Sequence, residues 1–571
     1  MPGLSDHKQQ FLELTRLFTR RFVENDLICI DGDTRGTLIG VLSLLIAPGV
    51  FLPLLEYLQF GNWPIGFLAW QVRDTVAIPH KLLHIALSMT VLGLFTVFEW
   101  DAMLPDRRDV AVLRPFPVGL TTMFAAKVSA LFLFWAIFTA AVDAISCVFF
   151  SAAVVQTAPS GVLSRFIAAH GTALVAANLF AFLAMIAVQA LLMTVLGPAR
   201  FRRFAPYAQF VLIAGLLSLF FFSIGLAFGL RMDQPPSPLI RMLPAYWFLG
   251  LDQMLLGLSQ PLFEALAGVA VPATAAVSAI AAIAYTLSYR RSVLGVFEAQ
   301  DRPAGTPGRA ARWAEQIAYG RLLRSASERA SFAFVWHTAM RSRSHRLLVA
   351  AWTASGVALV IQGITGAMAS GDHQWWETPA GPLLPAPIVL PLFLITGLRY
   401  AFTVPAELRA NWVFQLGCGT PAEYLAGAQK AALTLAMAPF VVLFPLFVAL
   451  WGWQTGGWHV FFGAVVAWLL VEAQMAGLDK LPFTCSYVPG KANVRSWWTL
   501  YVAAYLLYVG GLCWADLKIL EQPSRIVWFL ACAWGARMGI GRYRRGQLAD
   551  SRPLTFDERP APAVLQLQLG D

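Results

Sequence analysis

The chain has 571 residues, of which 58% are hydrophobic and 13% are charged, and its formal net charge is +10. Soluble domains carry about 25% charged residues, so the composition excludes an ordinary soluble protein and predicts a polytopic membrane protein. The apolar runs are about 20 residues long, the length of a membrane-spanning helix, whereas barrel strands are shorter and alternate. We therefore expect an all-α fold. We attribute the positive charge to cytoplasmic loops that face anionic membrane lipid, and we expect no nucleic-acid partner.

Residues 1–35 predict a cytoplasmic segment with an interfacial amphipathic helix. Phe11, Leu14, Phe18 and Phe22 recur at helical spacing, with basic residues between them. Such a pattern suits a helix that lies flat on the membrane before the first span. No signal peptide is recognisable at this end.

Twelve apolar runs follow, in two sets of six. The first half covers residues 36–289 and the second covers 346–541, and residues 542–571 form a cytoplasmic tail. Between the halves, residues 290–345 are basic and rich in Pro, Gly and Ser, which predicts a cytoplasmic linker. The predicted spans are 37–57, 82–99, 124–150, 166–196, 206–230, 262–288, 346–369, 383–402, 429–451, 458–478, 497–514 and 523–541.

One further apolar stretch, residues 239–258, is set apart from the spans. It contains Pro244, Trp247 and Asp252, which predict a segment at the outer surface or a re-entrant segment, because a proline and an acid are poorly suited to a lipid-exposed span.

The distribution of basic residues predicts the orientation. With the N-terminus inside, 35 of the 42 Lys and Arg residues fall on inner segments, and the other 7, which include Lys81, fall on outer ones. Cytoplasmic loops carry such an excess. We therefore predict a multi-pass protein of the cytoplasmic (inner) membrane with both termini in the cytoplasm.

The loop between the second and third runs, within residues 100–127, is unusual for a connector. Asp106 to Asp109 form a mixed-charge cluster, Val110 to Leu113 make a short apolar step, and Pro115 and Pro117 prevent a helix from continuing. The pattern predicts a short amphipathic helix at the membrane surface, available to a partner. A solvated connector held inside by its charges is an alternative of equal weight.

The second half has a counterpart within residues 398–430. Both loops begin with a proline, continue with an acid, an arginine, an apolar step and another proline, and end with a lysine, Lys127 or Lys430, at the start of the third run. Because six spans is an even number, the two copies would share one orientation. This predicts two parallel six-helix repeats.

These features resemble the membrane (permease) subunit of type-2 ATP-binding-cassette exporters. The residues that match the loop pattern of that family are Asp106 to Asp109, Pro115 to Val118, Ala126 and Lys127. The resemblance rests chiefly on topology over most of the chain. The second loop departs from the motif, since Pro-Val is missing and Gly417 to Gly419 intervene. The resemblance implies two six-span units fused in one chain, with both loops docking on cytoplasmic ATPase subunits. The implied docking residues are Asp106, Arg107, Arg108, Asp109, Val112, Leu113, Pro115, Pro117, Lys127, Glu407, Arg409, Asn411 and Trp412.

The chain contains no Gly-x-x-x-x-Gly-Lys-Ser/Thr sequence, the loop that cradles nucleotide phosphates. We therefore expect no cofactor on this chain and ATP hydrolysis in a separate subunit. The predicted function is the substrate pathway of an ATP-driven exporter, which makes this chain a transport component and not an enzyme.

Two other functions remain as alternatives. Three acids fall within or near predicted spans, Asp143, Glu264 and Glu472, and intramembrane acids are typical of proton paths, so a proton- or ion-coupled secondary transporter is the second hypothesis. The third is a membrane-embedded, lipid-active enzyme, for which the sequence offers no nucleophile and base, and we assign no catalytic residue. His80 and His84 have a metal-like spacing but lack the glutamate of His-Glu-x-x-His, and the six cysteines are scattered, so we expect no metal site.

Overall fold

The computed structural model contains no strand in the residues that it describes, and the prediction of an all-α fold is confirmed. The chain divides into two compact units, Met1–Pro303 (unit 1) and Ala304–Asp571 (unit 2). The described residues are 4–23, 34–61, 70–104, 116, 118–156, 161–227, 230, 233–298, 323–369, 374–406, 412–416, 420–478, 480–484 and 494–549.

Unit 1 is built around helix α3, against which α5, α6 and α8 pack, and α9 packs against α6 and α8. Its apolar core holds fully buried large side chains, among them Tyr246, Phe248 and Phe263. The helices are α1 (Leu4–Val23), α2 (Thr34–Gly61), α3 (Trp70–Phe98), α4 (Trp100–Met103), α5 (Leu120–Val154), α6 (Val162–Ala227), α7 (Pro238–Arg241), α8 (Pro244–Leu255) and α9 (Pro261–Glu298).

Unit 2 contains α10 (Ala326–Arg341), α11 (Arg343–Ala369), α12 (Ala386–Ala401), α13 (Trp412–Gln415), α14 (Pro421–Met437), α15 (Phe440–Ala476), α16 (Val494–Glu521), a 3-10 turn (Pro523–Arg525) and α17 (Ile526–Ala549). Its apolar clusters join α10 with α12, α14 and α15, and α15 with α16 and α17. The predicted 290–345 linker is therefore partly helical, since α9 extends to Glu298 and α10 forms within it. Ser325 caps α10 by accepting a hydrogen bond from the Glu328 backbone N–H.

A single glycine reverses the chain within α6. Gly197 has φ 75° and ψ 165°, a conformation that is easy only for glycine, and Pro198 follows it. Gln189 before the break donates to the Trp100 carbonyl, and Gln209 after it donates to the Val97 carbonyl at 2.9 Å. The two arms of α6 thus return to the same end of α3, which agrees with the predicted separation of runs 166–196 and 206–230.

Gly452 interrupts α15 in the same way, with φ 77° and ψ 169°. This break coincides with the predicted gap between runs 429–451 and 458–478. A second interruption, between Met437 at the end of α14 and Phe440 at the start of α15, was not predicted; Pro439 lies there and supplies no backbone N–H.

In the part of the chain that the structure describes, eight helical segments are long and apolar enough to cross a membrane. One of them, Pro421–Ala476, covers two predicted runs, and the runs 37–57 and 383–402 include only shorter apolar helices, Gly49–Phe60 and Ala386–Ala401. Every predicted run lies largely on helical residues, with run 429–451 divided between α14 and α15, but the count of twelve spans stays a prediction. The other seven segments are Asp74–Phe98, Leu120–Val154, Val162–Phe201, Arg203–Ala227, Pro261–Arg291, Arg343–Met368 and Ala503–Glu521.

The stretch 239–258, predicted as an outer-surface or re-entrant segment, is packed inside unit 1, and its place relative to the membrane stays a prediction. It forms α7 and α8, and α8 packs against α3, α6 and α9 inside unit 1. Tyr246, Phe248 and Asp252 are each 0% exposed. Gly250 permits this packing, because a Cβ there would lie 2.7 Å from the Ala267 backbone nitrogen. The proline that argued against a span occupies the first turn of α8, where it costs no hydrogen bond.

Candidate functional site

A row of buried polar side chains follows one face of α3. Asp74, Lys81, His84 and Ser88 are each exposed by 4% or less, and their spacings of seven, three and four residues place them on one side of the helix. The row extends over about 20 Å of helix axis. Helices α5, α6 and α8 pack against α3 and supply the partners of these side chains.

The first layer of the site surrounds the Lys81 ammonium group. Lys81 Nζ lies 2.6 Å from Asp74 Oδ1 and 2.8 Å from Asp252 Oδ2. Gln253, in the amide orientation that satisfies both neighbours, accepts from Lys81 Nζ at 2.7 Å and donates to Asp74 Oδ2 at 3.2 Å. The Phe166 ring lies 4.5 Å from the same ammonium nitrogen. One buried cation is therefore held between two carboxylates and one aromatic face.

The pKa of Asp252 follows from its surroundings on α8. Complete burial raises the pKa of this carboxyl group, but the adjacent Lys81 ammonium and His170 lower it, and the net pKa lies below its ordinary value. His170 Nδ1 is 3.4 Å from Asp252 Oδ1. Asp252 is therefore ionised at neutral pH and fixes α8 to both α3 and α6.

The second layer is centred on Glu56 of α2. Its carboxylate oxygens lie 2.9 Å from His80 Nδ1 and 2.9 Å from His84 Nε2. The other ring nitrogen of His84 is 2.8 Å from Ser146 Oγ on α5. The predicted pair of histidines therefore shares a carboxylate and not a metal, and no group of three metal-ligating side chains occurs among the described residues.

The third layer lies one turn further along α3. Ser88 donates its hydroxyl proton to Asp143 Oδ1 at 2.6 Å, and Asn178 of α6 donates to Ser88 Oγ at 2.7 Å and to Asp143 Oδ2. Asp143 has no cationic partner in these contacts; its neighbours are neutral donors. A buried carboxyl group with only neutral partners is suited to binding a proton.

Histidine rings connect the first two layers. The His84 and His170 ring centroids are 6.2 Å apart, and Phe150 packs against both. His170 is 0% exposed, and its Nε2 has no hydrogen-bond partner among the described residues. Buried polar atoms without partners are uncommon and mark places where a proton or a small ligand can be accommodated. The three layers can together accept and hold protons or a small cation.

The structure does not bring the three predicted acids together. Asp143 belongs to the third layer, whereas Glu264 is exposed in the first turn of α9 and accepts a hydrogen bond from Ser259. Glu472 lies in unit 2, where the nearest cation is Arg537, at 3.5 Å. Only the first of these residues occupies an enclosed polar site.

Most of the predicted docking residues lie outside the described part of the chain. They are Asp106, Arg107, Arg108, Asp109, Val112, Leu113, Pro115, Pro117, Glu407, Arg409 and Asn411. Trp412 begins α13, for which the backbone is described. Lys127 is described and is buried, with 1% of its surface exposed.

Each unit has a lysine that joins an amphipathic helix to the helix after the predicted loop, a feature we call the lysine junction. In unit 1, Lys127 Nζ on α5 lies over the Phe18 and Phe22 rings of α1, at 4.7 and 5.1 Å. In unit 2, Lys430 Nζ on α14 donates to Glu328 Oε2 on α10 at 2.7 Å. The predicted amphipathic segment contains helix α1, with Leu14, Phe18 and Phe22 buried on one face, while its position at the membrane surface stays a prediction.

Sequence reasoning named Asp252 only as an argument against a span and did not single out Glu56, Asp74 or His170. A signal existed for Asp74, because its spacing from Lys81 and His84 follows the face of a helix. Lys81 itself was counted as an outer-loop residue, although it is fully buried. Comparison with known proteins adds no assignment to this site, since no protein-family model, no curated protein and no solved structure matches the chain.

Proposed function

We propose that the chain is the transmembrane permease component of an ATP-driven, ABC-type exporter. It forms the substrate pathway, and the loops at 105–117 and 405–421 couple it to separate cytoplasmic ATPase subunits that bind the ATP. The observation that supports the proposal is the lysine junction, which recurs in both units directly after the predicted docking loop.

The lysine junction gives such a loop a mechanical role. Helix α5 begins at Leu120, close after the first loop, and α1 packs on it through Lys127, Phe18 and Phe22. A partner that displaces the loop therefore moves two helices together. Helix α14 and α10 have the same relation in unit 2. Packed elements of this kind transmit small local shifts as rigid-body motion.

The test is release of the ATPase by a triple substitution in the first loop, Arg108→Ala with Val112→Ala and Leu113→Ala. Buried interface anchors cost about 1–4 kcal/mol each on truncation, so the ATPase that co-purifies with the wild-type chain in mild detergent should be lost. The matched control is Leu239→Ala with Arg241→Ala and Met242→Ala, an exposed set on and beside α7, on the predicted outer side. Equal recovery of the ATPase with both triple variants would show that the loop is only a connector and does not dock the ATPase.

The proposed orientation places both termini and the linker in the cytoplasm of the inner membrane. In a variant without native cysteines, Ala310→Cys should be shielded from a membrane-impermeant thiol reagent in intact cells, whereas Gln374→Cys should react. The opposite labelling pattern would reverse the orientation, and with it the side on which an ATPase can dock.

The buried layers favour a second candidate, a proton- or cation-coupled carrier, because Asp143 has neutral partners and lies near the histidine layer. Transport in proteoliposomes distinguishes the two functions. A carrier should work on a pH gradient without ATP and fail in Asp143→Asn, while Glu472→Gln should remain active. An exporter should require the ATPase and ATP in all three chains.

The third hypothesis, a lipid-active enzyme, now has a serine, a histidine and a carboxylate in contact, namely Ser146, His84 and Glu56. Ser146 is 4% exposed, and Phe150 packs against the His84 ring. Because this serine is enclosed, the three side chains are better explained as a buried polar layer than as a catalytic serine with access to substrate.

A further inference from the structure

Unit 2 contains a basic cleft of about 300 Å³ between α14, α15 and α17. It includes Glu472, and Gln429 in its lining is the residue before Lys430 of the lysine junction. Its polar and aromatic lining consists of Gln429, Glu472, Trp534, Arg537, Arg544 and Arg545.

Positive charge in the cleft exceeds negative charge. Arg537 Nε lies 3.5 Å from Glu472 Oε1. The other two guanidinium groups bond to neutral acceptors: Arg544 donates to the Gln429 side-chain oxygen, and Arg545 donates to the Gly541 carbonyl at 3.2 Å. Three cations thus face one carboxylate among the described lining residues. Guanidinium groups match phosphate geometry and bind it through paired hydrogen bonds.

The same helix, α17, is suited to the boundary between lipid tails and headgroups. The Arg537 guanidinium group lies 4.9 Å from the Trp468 ring and 5.6 Å from the Trp534 ring. On α17, Trp528 is 76% exposed, Trp534 56% and Met538 49%. Exposed tryptophan beside arginine is typical of the membrane interface. The apolar part of α17 precedes the basic part in the chain. Acyl chains would therefore contact the apolar part, and the headgroup would contact the basic part.

We propose that this cleft binds the phosphate group of an anionic phospholipid. The Arg544 and Arg545 side chains contact the phosphate oxygens, Arg537 is held near them by its two tryptophans, and the acyl chains lie along the exposed apolar residues of α17. Basic pockets between helices at the cytoplasmic side of membrane proteins bind anionic headgroups in this way. The inference is independent of the proposed transport function.

The test uses the purified full chain in detergent, with binding of phosphatidylglycerol and of phosphatidylcholine measured by native mass spectrometry. The wild type should prefer phosphatidylglycerol. Arg544→Gln should weaken that binding about tenfold, the loss expected for one charge-assisted hydrogen-bonding group. Arg542→Gln is the matched control, because it removes the same charge from the same helix at an exposed position outside the cleft. Its binding should stay close to that of the wild type.

A second variant is expected to change phosphatidylglycerol affinity in the opposite direction, which misfolding could not do. Glu472→Gln removes the only carboxylate of the described lining and should tighten phosphatidylglycerol binding. Equal losses in Arg542→Gln and Arg544→Gln, or no preference over phosphatidylcholine in the wild type, would overturn the site. Inorganic phosphate distinguishes the source of the ligand: its failure to displace the lipid supports a lipid site, and full displacement at equal affinity would overturn the assignment to lipid.

Discussion

Units 1 and 2 share the lysine junction but differ in their interiors. Among the described residues, nine acidic, lysine or histidine side chains are buried in unit 1 and four in unit 2. Seven of the nine in unit 1 belong to the polar layers across α2, α3, α5, α6 and α8. In unit 2 the buried pair His459 and Asp516, 2.6 Å apart, stands among aromatic rings, with Phe447 and Trp451 against the imidazole.

The comparison distinguishes a feature that both units have, the lysine junction, from one that is specific to unit 1, the buried polar layers. A junction present in both units suits a shared task, such as receiving motion from a partner. The charge network of unit 1 is not explained by stability alone, because buried ion pairs rarely stabilise a fold relative to apolar packing. We infer that the two units have different roles in function.

The largest expected effect is removal of the Lys81 charge. Lys81→Met leaves Asp74 and Asp252 buried without their cation, and breaking a buried pair from one side costs about 3–5 kcal/mol. Thermal unfolding in detergent should show a strongly lowered Tm. Adding Asp74→Asn and Asp252→Asn to the same chain should restore much of the loss, because no uncompensated charge then remains.

The control for this prediction is a lysine in unit 2. Lys518 is 2.7 Å from Glu521 in an exposed pair, and such pairs contribute little, so Lys518→Met should leave Tm unchanged. If Lys81→Met and Lys518→Met have equally small effects, the buried network does not distinguish the units.

A moderate, pH-dependent effect is expected at the lysine junction of unit 2. Partial burial raises the pKa of Glu328, but the Lys430 ammonium and the Arg324 backbone N–H lower it, and the net pKa lies below its ordinary value of 4.5. A carboxyl group with a lowered folded-state pKa stabilises the fold above its unfolded pKa, and this stabilisation disappears as the pH falls through the folded pKa. The wild type should therefore be more stable than Glu328→Gln at pH 7, and the difference should begin to decline near pH 4.5 and disappear as the pH falls through the lower folded-state pKa.

Thermal unfolding of both chains from neutral to acid pH measures this difference. The lysine junction of unit 1 provides the contrast, because Lys127 lies over phenylalanine rings and Phe18→Leu should change Tm by the same amount at each pH. A Glu328→Gln effect that does not depend on pH would show that Glu328 contributes through packing and not through charge.

The smallest expected effect is at the two chain reversals, Gly197 and Gly452. Both have positive φ with ψ near 165–169°, a region that is essentially restricted to glycine and costs an L-residue about 1–3 kcal/mol. Gly197→Ala and Gly452→Ala should each lower Tm slightly and by similar amounts. Gly215 and Gly510 are helical, with open space at the Cβ position, so alanine there should be neutral or slightly stabilising. Unequal costs at the two reversals would indicate that only one of the turns is required for its unit.

Hydropathy and turn residues were enough to predict most of the fold. Each apolar run lies largely on helical residues, α1 has the predicted buried face, and the gaps around Gly197 and Gly452 were anticipated, because these features depend on local sequence. Residues 239–258 were predicted as an outer-surface or re-entrant segment, and their close packing against α3, α6 and α9 was not anticipated. A proline at the first position of a helix looks the same in sequence as a proline that ends one.

The candidate site was largely beyond prediction for a different reason. Lys81 contacts Asp252, and His84 contacts Glu56 and Ser146, and residues so far apart in sequence are brought together only by tertiary packing. Composition showed that ionisable groups exist near the spans. It could not show which of them lie on facing sides of neighbouring helices.

The Lys81 pairing also has a consequence for how unit 1 is made. Asp252 is synthesised 171 residues after Lys81, which at ordinary rates of translation is a delay of roughly 10–30 s. During that interval the nascent chain holds a lysine whose second carboxylate does not yet exist. Asp74, two turns earlier on the same helix and 2.6 Å from Lys81 Nζ, can act as a temporary counter-ion. Because Lys81 has two acidic partners, its charge can be paired within α3 before α8 has been synthesised.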